Sequence, residues 1–375
     1  MVTQTQSEPV GVGFIGSGSV LWAYLQQLDR LVARGLAREG PICVRRAEVR
    51  QGLHHRRPAA HLVSDPQAVL GADIDVVVVI TPPASHVELA SLALEHSKHV
   101  LVEKPIGRTR AEAEEIVSLA KKQDRWLMAA PFVQLAPSVR ALWTTLRDNR
   151  IGSVHSARAM YGNRGSTWAR WYHDSGVGPL AEVGIYNLKT LTSLLGPVRE
   201  VIAADATAVV PRIVAGGQIA EPDPDVMHLI ARHASGALSS VLASQAVQHY
   251  RRPAVELYGT EGTANLLGDD WAPQGLEVWE NMRGSWEFLE PVDQTWLWTD
   301  GMRELVVALR DRRPPLQDLN QDLHLLDVVQ SAHASARSRT AVRVESDFAD
   351  LDLQAERPTS SHYVHDRTRP AEEQL

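Results

Sequence analysis

The sequence predicts an α/β protein of two domains: a doubly wound parallel sheet first, then an α+β domain around a large, mostly antiparallel open sheet. Three observations carry this. At 375 residues the chain is longer than one typical domain. Between Val10 and Ala130, short apolar runs alternate with helical stretches, the order that builds parallel sheets. From Val154 onward longer alternating strands joined by turns take over, the pattern of antiparallel pairing. The expected divisions are residues 1–134, residues 135–345 and a polar tail over 346–375.

Val10 to Ile15 reads as the first strand and opens into Gly16-Ser17-Gly18. Leu21, Tyr24, Leu25, Leu28, Leu31 and Val32 then recur at helical spacing. Strand, glycine turn and helix form the context of a dinucleotide fingerprint, although a tight turn alone would also use the glycines. Gly16, Gly18, Ser19 and Val20 would hold a pyrophosphate against the helix N-terminus, with Leu21 in the usual place of a third glycine. Pro41 to Val44 reads as the second strand and ends in Arg45-Arg46. An acid at this point of such a domain binds the ribose hydroxyls, whereas an arginine accommodates a 2′-phosphate. NADP(H) is therefore favoured, and the nearby Glu48 keeps NAD(H) possible.

Ile74 to Ile80 reads as a strand buried on both faces. It leads into Thr81-Pro82-Pro83 and His86, then a helix that turns Val87, Ala90 and Leu94 inward. The next strand, Val100 to Val102, runs straight into Glu103-Lys104-Pro105. Pro105 fixes its own φ and biases Lys104 away from helix, so the charged pair sits in a stiff turn. The carboxyl end of a strand is where an open α/β sheet puts its ligand crevice, although solvated charges also occur there. Thr109 and Glu112 form a capping box for a helix with Ala113, Ile116, Val117 and Ala120 on its buried stripe. Trp126 to Ala130 supplies one more strand.

Ser138 to Leu146 is an amphipathic helix. Strands are expected at 154–161, 198–210, 227–233, 238–247 and 255–258, a turn at 259–262, and helices at 301–309 and 319–336. Between the first two of those strands lie Trp168, Arg170, Trp171, Tyr172 and His173, then Gly176-Val-Gly-Pro-Leu-Ala-Glu-Val-Gly-Ile-Tyr186. A helix wound from Pro179 puts Leu180, Leu188, Leu191, Leu194 and Leu195 on one face. Glu182, Tyr186, Lys189 and Ser193 fall on the other, either as a solvated surface or as the polar side of a cleft.

Composition narrows the function. Net charge is −7 with both signs mixed along the chain, which gives no stripe for nucleic acid. No apolar run approaches the roughly 20 residues of a membrane span, and the polar start lacks a leader pattern. Cys43 is the sole cysteine, so neither an intrachain disulfide nor a cysteine-based zinc cage can form. No metal site is expected, and the protein is expected to be cytoplasmic.

Taken together, these residues resemble the glucose–fructose oxidoreductase / inositol dehydrogenase family, Gfo/Idh/MocA, over residues 10 to about 345. The most specific parts are Glu103-Lys104-Pro105 and the Gly176 to Tyr186 segment, with Thr81-Pro82-Pro83 and His86 resembling the loop under the nicotinamide half. The resemblance implies an NAD(P)-dependent oxidoreductase acting on sugars, sugar derivatives or cyclitols. It implies Lys104 as the proton-transfer residue, Tyr186 as its partner, and Glu182 as the group that orients substrate or partner. It also places Glu103, Lys104 and Pro105 beside the cofactor. Three positions depart from the family pattern: Glu182 for an aspartate, Lys189 for a frequent aspartate, and Gln134 for a frequent arginine.

The expected reaction moves hydride between the nicotinamide and a secondary alcohol or ketone, while the protein manages orientation and the proton. A lysine is a poor base at neutral pH unless desolvation lowers its pKa, which a bound cofactor would do. Trp168, Arg170, Trp171 and Tyr172, with Lys104, Glu182, Tyr186 and Lys189, are the expected substrate contacts, although the aromatics would serve equally as packing between domains. Two rivals stand beside this reading: a redox-neutral oxidation–elimination or epimerisation of a glycoside, and a cofactor-binding protein with a decayed site. A homodimer or homotetramer is expected.

Overall fold

In the computed structural model, β1 (Val10–Ile15), β2 (Ala37–Cys43), β3 (Leu62–Val63), β4 (Val76–Val79), β5 (His99–Val102) and β6 (Leu127–Ala129) form one sheet. Between them run α1 (Leu21–Ala33), α2 (Ala47–Arg56), α3 (Pro66–Leu70), α4 (His86–Glu95) and α5 (Arg110–Lys122). The structure describes residues 8–353 apart from 169, 174–176, 252, 291–292 and 294, together with the backbone of 359–364.

The strand order is β3-β2-β1-β4-β5-β6 and every pairing is parallel. Parallel strands in this order, joined through helices by crossovers that are right-handed as a rule, make this a Rossmann-type sheet, whose crevice belongs at the carboxyl ends where the order reverses between β1 and β4. Val76 to Val79 are fully buried, as a strand covered on both faces requires. The register aligns Ile15 with Val79, Val79 with Val102, and Val102 with Ala129, so the segments leaving those strands start side by side.

Local chemistry explains the helices. Thr109 Oγ1 accepts the Glu112 N–H at 3.2 Å, and Glu112 reaches back to the Arg108 N–H at 2.9 Å, closing the predicted capping box. In α1 the buried stripe ends at Leu31, and Val32, one residue further round the helix, is 43% exposed. The weakly apolar α2, with Leu53 as its buried residue, and the short α3 and β3 escaped the sequence reading because neither carries a periodic signal.

The second sheet belongs to a separate unit. Its elements are α6 (Pro137–Arg147), β7 (Val154–Gly162), α7 (Ile185–Leu195), β8 (Val198–Ala206), a β9–β10 hairpin (Arg212–Val214, Gly217–Ile219) and β11 (Val226–His233). They continue with β12 (Leu238–Ser244), β13 (Val255–Gly259), β14 (Gly262–Asp269), β15 (Ala272–Glu280) and β16 (Ser285–Glu290). After α8 (Gly301–Asp311), which belongs to the first unit, follow α9 (Leu319–Ser338), β17 (Val342–Arg343) and β18 (Thr359–Val364). The order β17-β8-β11-β12-β7-β13-β14-β15-β16-β18 is antiparallel except for the β12–β7 pair. One face carries the core, where Ala157, Val201, Met227 and Val241 meet Leu142, Leu188, Leu191 and Val328 of the helices. On the other face Ile202 and Ile230 stay about half exposed, at 51% and 52%.

The division of the chain differs from the expected one. Phe132 ends the first unit, and Thr299–Leu319, with α8, returns to it; Val133–Trp298 and the residues from Asn320 form the second. Asp300 accepts a buried hydrogen bond from Gln27 of α1 at 2.7 Å, and Gly301 packs so tightly on Phe132 that a Cβ would lie 2.5 Å from its ring. The tail includes β18, whose backbone pairs with β16. Among the described residues no helix is long and apolar enough to cross a membrane.

Candidate functional site

In the first unit the expected cofactor residues all leave strand ends that lie together. Gly16, directly after β1, has φ +120°, and a Cβ there would stand 2.6 Å from the Ile80 carbonyl oxygen. A side chain is excluded, and the backbone can approach a ligand closely. Gly18 and Ser19 are exposed, and Val20 at the start of α1 makes no side-chain cap, leaving helix N–H groups for an anion. Arg45 and Arg46 are exposed beyond β2 and have no side-chain partner among the described residues, whereas Arg50 is bound to the Val44 carbonyl at 2.9 Å. The cradle and the two guanidinium groups fit a dinucleotide.

The turn after β5 is built from inside. Glu103 is buried, taking the Tyr24 hydroxyl at 2.8 Å on one oxygen and the Lys104 N–H at 3.1 Å on the other. His86 is likewise buried, with one ring nitrogen 2.8 Å from the Pro105 carbonyl and the other 2.7 Å from the Thr81 carbonyl. Both residues were expected against the cofactor. In the structure both act as struts: Glu103 ties the turn to α1, and His86 ties it to the Thr81-Pro82-Pro83 loop. Pro82 is exposed and Pro83 buried, Thr81 accepts the Ser85 hydroxyl at 2.8 Å, and the Lys104–Pro105 peptide is cis. From Leu101 to Gly107 every residue but Lys104 is buried.

The second unit repeats this design on a helix. A π-turn over Leu180–Gly184 precedes α7, so the expected regular winding from Pro179 does not occur. Such bulges re-aim side chains and concentrate at functional positions. The helix is buried all round: from Gly178 to Ser193, Tyr186 is the one residue that is not buried. Lys189 is a correction. It is fully buried and paired with Asp322 of α9 at 2.6 Å, so it faces the interior and not a substrate. Ser193 also turns inward and donates to the Lys189 carbonyl at 2.7 Å. Gly176 lies outside the described residues; Gly178, at φ +68°, passes so close to His333 that a Cβ would lie 2.9 Å from its ring.

Around the π-turn sits a polar and aromatic cluster. Burial first, then the Glu182 carboxylate, push the Tyr172 phenol well above its ordinary pKa, and Tyr172 is hydrogen-bonded to Glu182 and near Gln245. Tyr172 meets Trp171 (5.4 Å between ring centroids) and His173 (5.5 Å) edge-on, and Trp168 meets Trp171 at 5.9 Å. The aromatics thus pack on one another, with Trp168 and Arg170 exposed and Trp171 and Tyr172 half-buried. Tyr161, at the end of β7, meets Tyr186 edge-on at 6.0 Å. Neither Tyr161 nor Gln245 was picked out from sequence, because a strand-end residue gives no local sign of the helix it will face. Gln134, in a helical turn packed against α7, is buried with neither amide atom hydrogen-bonded among the described residues.

The comparisons with known proteins agree with this construction. The profile of an oxidoreductase family with an NAD-binding Rossmann fold matches residues 10–130, and that of the GFO/IDH/MocA C-terminal domain matches 139–265. Trans-1,2-dihydrobenzene-1,2-diol dehydrogenase of Bos taurus is 28% identical over 213 residues, 55% of this chain and 58% of that protein. The scyllo-inositol 2-dehydrogenase (NADP(+)) of Bacillus subtilis is 32% identical over 155 residues, 39% of this chain and 47% of its own length. The chain therefore spans about half the length of these curated relatives. An NAD-binding oxidoreductase from Klebsiella pneumoniae shares the fold with a TM-score of 0.80 at 21% identity, covering 90% of this chain and all of that one. With both of the family's domains matched in order and a parallel sheet whose strand ends carry its cofactor segments, this chain belongs to the GFO/IDH/MocA family of oxidoreductases.

Proposed function

We propose that the protein is a dehydrogenase or reductase, favouring NADP(H) over NAD(H), that acts on a secondary alcohol or ketone of a sugar, sugar derivative or cyclitol. The observation that carries this reading is the placement of Lys104. In a turn at the carboxyl edge of the sheet, clamped by Glu103 and His86, it is the one residue from Leu101 to Gly107 that is not buried, and its side chain is able to hold or release a proton. The names of the curated relatives, a diol dehydrogenase and an inositol dehydrogenase, support the substrate class.

The cofactor supplies the hydride chemistry. Gly16 and the α1 N-terminus would carry its pyrophosphate, and Arg45 and Arg46 a 2′-phosphate. Lys104 would take the hydroxyl proton of the substrate on Nζ during oxidation and return it during reduction. Tyr186 would share that hydrogen bond, and Glu182, held by Tyr172, would orient it. The assembly we propose is a cytoplasmic homodimer or homotetramer.

The test is a panel of sugars and cyclitols assayed with NADP+ and with NAD+ by nicotinamide absorbance. Net reduction of NADP+ by at least one member supports the reading. Product formed with no net change in the nicotinamide would replace it with a redox-neutral reaction. Absence of cofactor binding, read as energy transfer from the ten tryptophans, would sink it.

A further inference from the structure

The second unit holds a cavity of about 920 Å³ beside the Tyr186 cluster. Tyr161 belongs to both, since it lines the cavity and meets the Tyr186 ring edge-on. Ligand pockets for drug-sized molecules run from about 300 to 1,000 Å³, so a single sugar ring leaves much of this space unfilled.

The wall combines donors and acceptors. Arg164 and Arg251 bring guanidinium donors, and Asp269 and Glu277 bring carboxylate acceptors. Tyr161 and Tyr250 add ring faces and hydroxyls. Burial, and after it the neighbouring Asp270 carboxyl, push both phenols up, so each remains an O–H donor. Asp270 itself lies behind the wall, fully buried, and that burial holds its carboxyl well above the ordinary carboxylate range.

This pattern discriminates between ligands. A phosphate site is made of donors, and two carboxylates in its wall would repel the anion. A sugar hydroxyl both donates and accepts, and so satisfies guanidinium, phenol and carboxylate groups alike. Aromatic faces suit the apolar side of a sugar ring.

We infer that the cavity is a second subsite, which takes the further sugar unit of a disaccharide or other glycoside whose first ring reacts beside Tyr186. The inference rests on the dehydrogenase reading above and extends it from a monosaccharide to a glycosylated substrate.

The test has two arms. In the first, kcat/KM is measured for a monosaccharide substrate, for disaccharides that contain it and for its nucleoside diphosphate conjugate, with wild type and Tyr250→Ala. The expected result is a disaccharide preference of about tenfold or more, worth about 1.4 kcal/mol, that collapses in Tyr250→Ala. Equal values for mono- and disaccharide, preference for the nucleotide conjugate, or a ratio unmoved in the variant would each overturn the inference. In the second arm, saturation-transfer NMR reads binding of cellobiose and maltose against glucose to the protein loaded with NADP+, in wild type and in Asp269→Asn. Disaccharide binding weakened by Asp269→Asn supports the subsite even where no sugar is turned over, an outcome that would remove the dehydrogenase reading alone. Wild-type protein that turns over the monosaccharide normally but shows no preference for the disaccharide would remove the subsite alone.

Discussion

The turn after β5 and the π-bulged helix leading into α7 both bury nearly everything in order to present one side chain, yet they reach that state by different means. The turn does it with three residues and two struts. Glu103 receives Tyr24 from α1, His86 bridges two carbonyls, and Lys104 is left as the one residue of the turn that is not buried. The helix does it with a packed environment. Asp322 neutralises Lys189, and Gln321 donates to the Thr192 and Ser193 hydroxyls at 2.9 Å each, so the polar face turns inward as fully as the apolar one and Tyr186 is left. A position held by a short local turn depends on few bonds and is readable from sequence. A position defined by burial on every side depends on residues more than a hundred places away.

That contrast makes predictions of decreasing size. Lys104→Met should lower kcat by about a thousandfold or more, in the range that loss of a proton-transfer group produces, while NADPH still binds; steady-state kinetics beside a fluorescence titration measure both, and retained turnover would remove Lys104 from its role. Lys189→Met should act on stability, not on KM. Breaking a buried pair takes the lysine charge away from Asp322, which costs about 3–5 kcal/mol, and Asp322→Leu on top of it should recover much of that loss. Denaturant unfolding reads the effect. A normally stable Lys189→Met enzyme with a raised KM would return Lys189 to the substrate.

Tyr186→Phe keeps the ring against Tyr161 and removes the hydroxyl, so kcat should fall about a hundredfold with unfolding unchanged. An equal loss in stability would make Tyr186 a packing residue. The smallest effect belongs to the exposed arginines. Arg45→Ala with Arg46→Ala should raise the NADPH dissociation constant about tenfold, near 1.4 kcal/mol, and leave NADH binding where it was. Equal weakening of both cofactors would mean that the arginines contribute only a general field.

Much of the first unit was legible because its signals are local. Val10–Ile15 into Gly16, the four valines of β4, and the Thr109–Glu112 box each act within a few residues, and the parallel order follows from their succession. The struts made by Glu103 and His86 were not legible. A strand-end acid and a histidine give no local sign that Tyr24, 79 positions away, and two backbone carbonyls will bind them.

The sequence by itself determined the parallel sheet, its glycine cradle and the stiff turn that carries Lys104, because periodicity, glycine geometry and proline stiffness are properties of neighbouring residues. Tertiary structure alone decided that Lys189 faces Asp322, that a π-turn re-aims the segment before α7, and that Tyr161 comes to Tyr186. Those outcomes depend on which distant group satisfies a buried charge or fills a space, and in this chain that partner lay 133 residues further along for Lys189.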